Sequence, residues 1–590
     1  MSEHGVSRRY FFYGALLTGA VPTGGFGSVP SLTRLGYVSP NGKLNLASIG
    51  AGSQPYIDLR FAWAMGHENV VALADCDWER GKQGFSAFPE AAKYKDYRKM
   101  LDKSGKDIDA VIVGTSDHMH ASCALACMQM GKHVYCEKPL TRTAWEARLL
   151  TQAAEKYKVA TQMGNQGYSH DATRVACEMI WSGEIGDVTE VHAWTGRSSW
   201  PQGMTKIPAP TPVPADLDWD LWLGCADYRP YTAGDKEYED FVAARRGAGG
   251  RGPAPANAGA AAGAAGRGAA AGAAAGAVRT RSLSAEDPLI TIATQGGGFY
   301  MPWNWRGHYD FGGGLIGDWG IHILGAANWG LQLHPKYLVS VECTHKDSLP
   351  PFTFPEELTV RFDFAARPNM PPVSVYWYHH AGGDPYTPPG MTAEEARKIP
   401  GTGPQVGPQQ GQGGFFQGSG GGAPATTPAG APGTPPAGAA AARGGAAQGR
   451  GGAGGGQRGG GGSGYNCIYV GTKGYMGTSG RAEGVGLLPG SRWAEYKLPA
   501  PYLTRAPGAS TASNQPAHMR DWVRACKGGS PACSNFSIAG PYTEWFILAS
   551  AAIHAEGKLM WDYEKCEFTN NKAVNKWVKP TFRKGWELKL

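Results

Sequence analysis

The chain has 590 residues, 87 of them glycine and 42 proline, with a formal net charge of +7; the length allows about two to four domains, and Gly and Pro at about twice average usage exclude a chain packed as core throughout. The excess sits in two stretches, 245–280 and 401–464, which hold no Asp or Glu but do hold Arg245, Arg246, Arg251, Arg267, Arg279, Arg443, Arg450 and Arg458. Without them the body is close to neutral, which excludes a basic nucleic-acid footprint on the folded part, so no nucleic-acid partner is expected.

In chain order, Ser7-Arg8-Arg9-Tyr10-Phe11-Phe12 puts a twin arginine before a short, weakly apolar run, Tyr13–Val21, that ends in small residues. This order resembles a bacterial twin-arginine export signal, and the run is too short to be a stable membrane span. Residues 1–42 are expected to be signal and linker, and the protein to be periplasmic or otherwise exported, carried out folded by the twin-arginine machinery. The eleven cysteines are scattered, with no CxxC pair. That argues against a disulfide framework or a zinc site, and no metal is expected; unpaired thiols suit a protein that folds before export.

From Lys43 the pattern alternates. The expected elements are strand Leu44–Ile49, a tight turn at Gly50-Ala51-Gly52-Ser53, helix Tyr56–Met65, strand Val70–Ala74 ending at Asp75, strand Ala110–Gly114, helix His120–Met130, strand His133–Cys136, helix Ala144–Tyr157 and strand Val159–Met163. Alternating strands and helices predict a parallel sheet covered on both faces, an α/β Rossmann nucleotide-binding domain over residues 43–165. Beyond it, helix Asp171–Trp181 is followed by strand-like runs Val188–Trp194, Leu338–Thr344, Leu358–Phe364, Val373–Tyr378 and Cys467–Gly471. These predict an α+β domain over 166–590 with a mostly antiparallel open sheet, interrupted by the two low-complexity inserts, which have almost nothing to bury.

Gly50-x-Gly52 between a strand and a helix suits a dinucleotide turn: glycines allow the bend and let a pyrophosphate approach the helix N-terminus. The third glycine of that pattern is replaced by Pro55, which a first helical turn tolerates. Asp75, at the end of the next strand, is the expected acceptor for ribose hydroxyls, and its charge favours NAD over NADP. Two blocks further on carry more. One is Asp117-His118-Met119-His120 together with Gly131-Lys132-His133-Val134-Tyr135-Cys136-Glu137-Lys138-Pro139; the other is Gly312-Gly313-Gly314-Leu315-Ile316-Gly317-Asp318-Trp319-Gly320-Ile321-His322.

On these blocks the sequence resembles the Gfo/Idh/MocA family of nicotinamide-dependent oxidoreductases, in its exported subgroup. The resemblance covers roughly Lys43–Gly196 and returns around Leu217–Gly224 and Trp305–Gly330. It implies that Lys138 lies beside nicotinamide and substrate with Pro139 after a cis peptide. It further implies that Asp318 holds the substrate hydroxyl, that His322 is the general base, and that a second Asp common in the family is absent, Gly325 standing there. Cofactor contacts are expected from Gly50, Gly52, Ser53, Asp75, Thr115, His118, His120, Glu137, Lys138, Asn165 and Gln166. Trp303, Trp305, Arg306 and His308 suggest a sugar platform, and Asp218-Trp219-Asp220-Leu221-Trp222 is expected to pack.

The expected activity is NAD-dependent oxidation of a secondary hydroxyl on a sugar, glycoside or polyol, with tightly held cofactor. Two alternatives stand beside it: NAD-dependent glycoside hydrolysis through transient oxidation, and non-catalytic sugar binding. The implied partners are a small carbohydrate and other copies of the chain in a homo-oligomer.

Overall fold

In the computed structural model the structure describes residues 42–196, 200–248, 298–380, 385–397, 464–505 and 515–590. The expected signal and linker, residue 42 apart, lie outside them, as does most of both inserts. Helix Lys236–Ala248 carries regular structure into the first residues of the first insert. No helix among the described residues is long and apolar enough to cross a membrane.

Strands β1 (Asn45–Ile49), β2 (Asn69–Ala74), β3 (Ala92–Tyr94), β4 (Ala110–Val113), β5 (His133–Cys136) and β6 (Thr161–Met163) form a sheet in the order β3-β2-β1-β4-β5-β6. Every pairing in it is parallel. Leu46, Ala47, Val111, Ile112 and Val134 are fully buried, which is why the central strands read as unbroken apolar runs and not as alternating ones. The order reverses between β1 and β4, so their carboxyl ends open a crevice at the place where ligands bind in such sheets.

Helix Gln54–Trp63 begins two residues earlier than expected and stops where Ala64 turns left-handed. Helix Asp117–Gln129 likewise begins earlier, so both histidines of the Asp-His-Met-His block are helical. Helices Trp78–Ala87 and Tyr97–Ser104 and strand β3 were not foreseen. They edge the sheet, and Tyr97–Ser104 buries only Met100 and Leu101, too few apolar positions to mark a helical period.

The second sheet is built from β7 (Val188–Thr195), β8 (Leu338–Lys346), β9 (Leu358–Phe364), β10 (Val373–His379), β11 (Cys467–Gly471), β12 (Gly474–Thr478), β13 (Val485–Leu488), β14 (Leu559–Asp562) and β15 (Glu567–Phe568). Among the described residues its order is β13-β12-β11-β7-β10-β9-β8-β14-β15, antiparallel throughout except β7 with β10. One face packs on helices that include Phe536–Ile547, where Trp545 meets Phe362 and Phe364 edge-on.

Helix Gln515–Cys526 returns to the first sheet. Its Met519 and Trp522 share an apolar cluster with Leu59 and Tyr135, Gln162 Nε2 donates to the His518 carbonyl at 2.6 Å, and Lys527 pairs with Glu68 at 2.8 Å.

Candidate active site

The turn after β1 is shaped by its neighbours. Gly50 has φ +96, and a Cβ there would lie 2.9 Å from both the Gly114 carbonyl oxygen and Pro55 Cγ. At Gly52 a Cβ would fall on the carbonyl oxygen of Arg80, far inside contact distance. Pro55 occupies the room a third glycine would leave open, and it makes Gly114 obligatory, since a Cβ at Gly114 would sit 2.6 Å from the proline ring.

Gly50, Gly52, Ser53, Asp75 and Thr115 line the crevice together with Asp77 and Arg80. Both Asp75 oxygens already accept backbone N–H groups, Oδ2 from Ala51 at 2.8 Å and Oδ1 from Asp77 at 3.0 Å. Burial outweighs those bonds and raises the Asp75 carboxyl to about 6. Arg80 donates to the Ser53 hydroxyl at 2.8 Å. Trp303 and Trp305 join the same crevice.

Three expected cofactor contacts are turned elsewhere. His118 is enclosed by the Trp222 and Phe311 rings, with Nε2 3.1 Å from the Trp222 carbonyl; burial lowers its pKa to about 3. His120 has Nδ1 2.9 Å from the Pro139 carbonyl and Nε2 3.2 Å from that of Thr115. Burial holds its pKa near 4, so the neutral ring carries one proton and braces one loop at a time. Glu137 turns back to hydrogen-bond Asp58, and burial raises both carboxyls. A Cβ at Gly164 would strike the Glu137 carboxylate. A hydrogen-bonded buried pair is the stable arrangement for two acids in an apolar setting, which is why Glu137 is not left facing a ligand.

Asn165 is different. It is 1% exposed, and neither its amide nitrogen nor its amide oxygen has a partner among the described residues. Such a group is costly to leave unmatched unless something else binds there. Gln166 is half-buried next to it.

The reaction centre forms where β5 ends. Lys138, before a cis bond to Pro139, brings Nζ to 2.6 Å from Asp318 Oδ1 and 3.2 Å from the Asp318 carbonyl. Arg306 Nε donates to the same Oδ1 at 3.0 Å. Asp318 sits in a π-helical turn, Ile316–Gly320, that continues into Ile321–Ile323; the sequence pattern indicates helix but not this wider turn. The glycine run before it is fixed in part by the Gly313 N–H, which donates to Asp117 at 3.1 Å. Gly314, at φ +63, faces Phe354, whose ring a Cβ would meet at 2.8 Å.

One turn on, His322 is 3% exposed, with the Trp319 ring edge-on at 6.0 Å and Nδ1 without a partner among the described residues. Burial, aided by the Lys138 and Arg481 charges, lowers its pKa well below the ordinary histidine value. Burial alone would raise Asp318, but Lys138 and Arg306 override it and hold the carboxyl well below the usual range. Asp117, buried nearby, is raised to about 7 by that burial, against the pull of Arg306. The centre thus offers a neutral imidazole, a firmly ionised carboxylate and two cations that share it.

The structure brings Lys138, Asp318 and His322 together as expected. Arg306 and His308 depart from the sugar-platform reading. Arg306 is spent on Asp318, with its guanidinium over Trp305 at 4.1 Å and Trp303 at 4.6 Å. His308 is fully buried beside the Phe299 carbonyl at 3.3 Å. The Trp219-Trp222 segment packs as expected, its two indoles stacked at 4.8 Å. Sequence reasoning missed Asp117 as a neighbour of the centre and Arg481 on the turn between β12 and β13. Asp117 was visible only as part of a block, and Arg481 is brought in from more than 150 residues downstream of His322 with no local signal.

Residues 44–165 match the family described as GFO_IDH_MocA, oxidoreductase family, NAD-binding Rossmann fold. The inositol 2-dehydrogenase of Salmonella typhimurium is 30% identical over 173 residues, 29% of this chain and 51% of that one. The levoglucosan dehydrogenase of Pseudarthrobacter phenanthrenivorans is 28% identical over 134 residues, 22% of this chain and 34% of that one. The chain thus spans about half the length, or less, of these curated relatives. Among solved structures, the WlbA dehydrogenase from Bordetella pertussis aligns with 88% of this chain and 99% of that one, at 12% identity and a TM-score of 0.46. Residues 44–165, which form the parallel sheet, thus match in sequence an NAD-binding Rossmann fold of oxidoreductases.

Proposed function

We propose that the protein oxidises a secondary hydroxyl of a sugar, glycoside or polyol with NAD, which it holds tightly. The observation that carries this reading is the convergence of Lys138, Asp318 and His322 past the end of β5, in a fold whose crevice has a turn and glycines that suit a dinucleotide and which leaves the Asn165 amide just past β6 unmatched. Two carboxyls at the ribose end, Asp75 and Asp77, favour NAD over NADP.

A bound nicotinamide would accept hydride. The chain supplies the rest. Lys138 and Asp318 hold the hydroxyl, and His322, neutral because it is buried among cations, takes the hydroxyl proton on a ring nitrogen. Arg306 keeps Asp318 ionised and fixed, so the hydrogen bond to the hydroxyl is in place before reaction.

Export through Arg8 and Arg9 and assembly as a homo-oligomer belong to the same proposal. Export without free NAD outside the cell is what makes a resident cofactor economical. The test is mass spectrometry of small molecules released on denaturing the purified protein, then a glycoside screen with and without added NAD. Released NAD(H) with substrate-dependent reduction supports the reading. Hydrolysis without net oxidation would move it to the hydrolytic alternative, and neither activity on any carbohydrate would remove it.

A further inference from the structure

The turn that follows β12 is tightly made. The Ser479 N–H donates to the Gly484 carbonyl at 3.0 Å, and the Ala482 N–H to the Ser479 carbonyl at 2.8 Å; the Gly484 N–H donates to the Ser479 hydroxyl at 2.9 Å. Glu483 spends its carboxylate inside the turn, accepting the Arg481 N–H at 2.9 Å and the Ser479 hydroxyl at 3.3 Å. The turn is also seated against the segment that follows β6: a Cβ at Gly167 would lie 2.9 Å from the Arg481 carbonyl oxygen.

All of this order presents one side chain. The Arg481 guanidinium lies 5.5 Å from the Trp319 ring centre, and Trp319 is the residue packed edge-on to His322. Its charge is felt at both His322 and His170. Yet the guanidinium has no carboxylate within ion-pair distance among the described residues, and its Nε is buried without a hydrogen-bond partner. The other cations of the centre are matched: Lys138 and Arg306 both rest on Asp318, and Arg80 on Ser53. An arginine held on a rigid turn, with an aromatic face beside it and an unmatched N–H, is built to receive a planar anion, since the guanidinium fork fits a carboxylate.

We infer that the substrate of this cleft carries a carboxylate, as a uronic acid or a glycoside of one does, and that Arg481 receives that carboxylate beside Trp319. The inference rests on the reading of the centre as a sugar-oxidising site, and it narrows that reading to acidic sugars. A neutral sugar would place hydroxyls against Arg481 and leave its charge uncompensated next to the base. A carboxylate would supply the missing charge and bring the ring carbons alongside Lys138 and His322.

Matched probes test it: methyl glucoside against methyl glucuronide, and methyl galactoside against methyl galacturonide. Calorimetric binding to the NADH-loaded protein and NAD reduction are both measured, for the wild type, Arg481→Gln and Arg481→Lys. The expected result is tighter binding of a uronate than of its neutral partner by about tenfold or more, the scale of a charge-assisted hydrogen-bond pair. Arg481→Gln should lose that preference in the calorimetric binding, the uronate weakening about tenfold more than its neutral partner, and Arg481→Lys should keep part of it. Equal binding of acid and neutral partners by the wild type, or an equal loss of both in Arg481→Gln, would overturn the inference. The wild-type comparison needs no variant to fold. If uronates bind preferentially and no probe is oxidised, the subsite stands and the proposed reaction falls; if neutral glycosides are oxidised as readily as uronates, the reaction stands and the subsite falls.

Discussion

Asp318 stays charged in a buried setting because Lys138 and Arg306 share one of its oxygens, while burial, with Lys138 and Arg481, keeps His322 neutral. This fixes the pH behaviour. A base whose pKa is depressed remains deprotonated further into acid, so the fall in single-turnover cofactor reduction should begin well below pH 6.5, not at it. A midpoint at or above 6.5 would assign the base to another group. His322→Ala should retain NAD binding and lose about two to four orders of magnitude in that reduction. Adding Lys138→Ala should cost much less than the product of the single losses, because both act on one proton transfer. Lys138, Asp318 and His322 were legible in the sequence because each sits in a short block with fixed spacing. Arg306 was legible only as a residue type: whether an arginine faces a substrate or a carboxylate of its own chain is decided by folding, and here Asp318 claims it.

At the scale of elements, the strand-turn-helix at β1 was readable, but the reason for its glycines was not. Gly52 is excluded from carrying a side chain by the Arg80 carbonyl on the next helix, an element whose apolar pattern was too thin to foresee. Gly52→Ala should therefore destabilise the fold by roughly 1–3 kcal/mol, as overpacking does, as well as weaken NAD binding; differential scanning calorimetry without cofactor separates the two. An unchanged midpoint with weakened NAD would show that the glycine serves the cofactor alone. The central strands were legible because full burial writes itself as continuous apolar sequence. The edge helices and strands β12 to β15 were not: the outer pair β14 and β15 is half-buried and mixed in pattern, and the glycines in β12 and β13 break up runs that are otherwise buried.

Neutral histidines are buried both within residues 44–165 and beyond them. His118, His308 and His379 are lowered to about 3, and His120, His170 and His518 to about 4, all chiefly by burial. Between those values and 6.5 the unfolded chain binds protons that the folded one refuses, so stability rises with pH across about 4 to 6.5. Buried acids oppose this: Asp75 and Asp117, raised to about 6 and 7, hold protons that the unfolded chain releases, and favour the fold less as pH rises through the same range. Asp58, Asp77, Glu137, Glu146 and Glu544 are raised as well, but the lowered histidines, with His192, His322, His334, His380 and His554 added, are more numerous, so the thermal midpoint at pH 5 should lie below that at pH 7, and a flat profile would mean that the two sets cancel. The inserts test a second whole-chain property. Deleting 247–277 and 411–462 removes segments with no acidic and few large apolar residues, which cannot repay their ordering entropy; midpoint and cofactor content should be unchanged, and a large loss in either would show that they pack.

Helix Gln515–Cys526 has a consequence for how the molecule comes into being. Trp522 and Met519 complete the apolar layer over Leu59 and Tyr135, and Lys527 meets Glu68 across 459 positions of sequence. The nucleotide-binding half is thus synthesised first and sealed last. While the ribosome is still making the middle of the chain, that half has an open flank, and loop closure over such a span comes late in folding. A protein ending at residue 165 would keep the β1 turn and the β5 lysine yet leave Tyr135 and Leu59 uncovered. It should be aggregation-prone and grip cofactor poorly, so capture of NAD becomes an event of the finished chain.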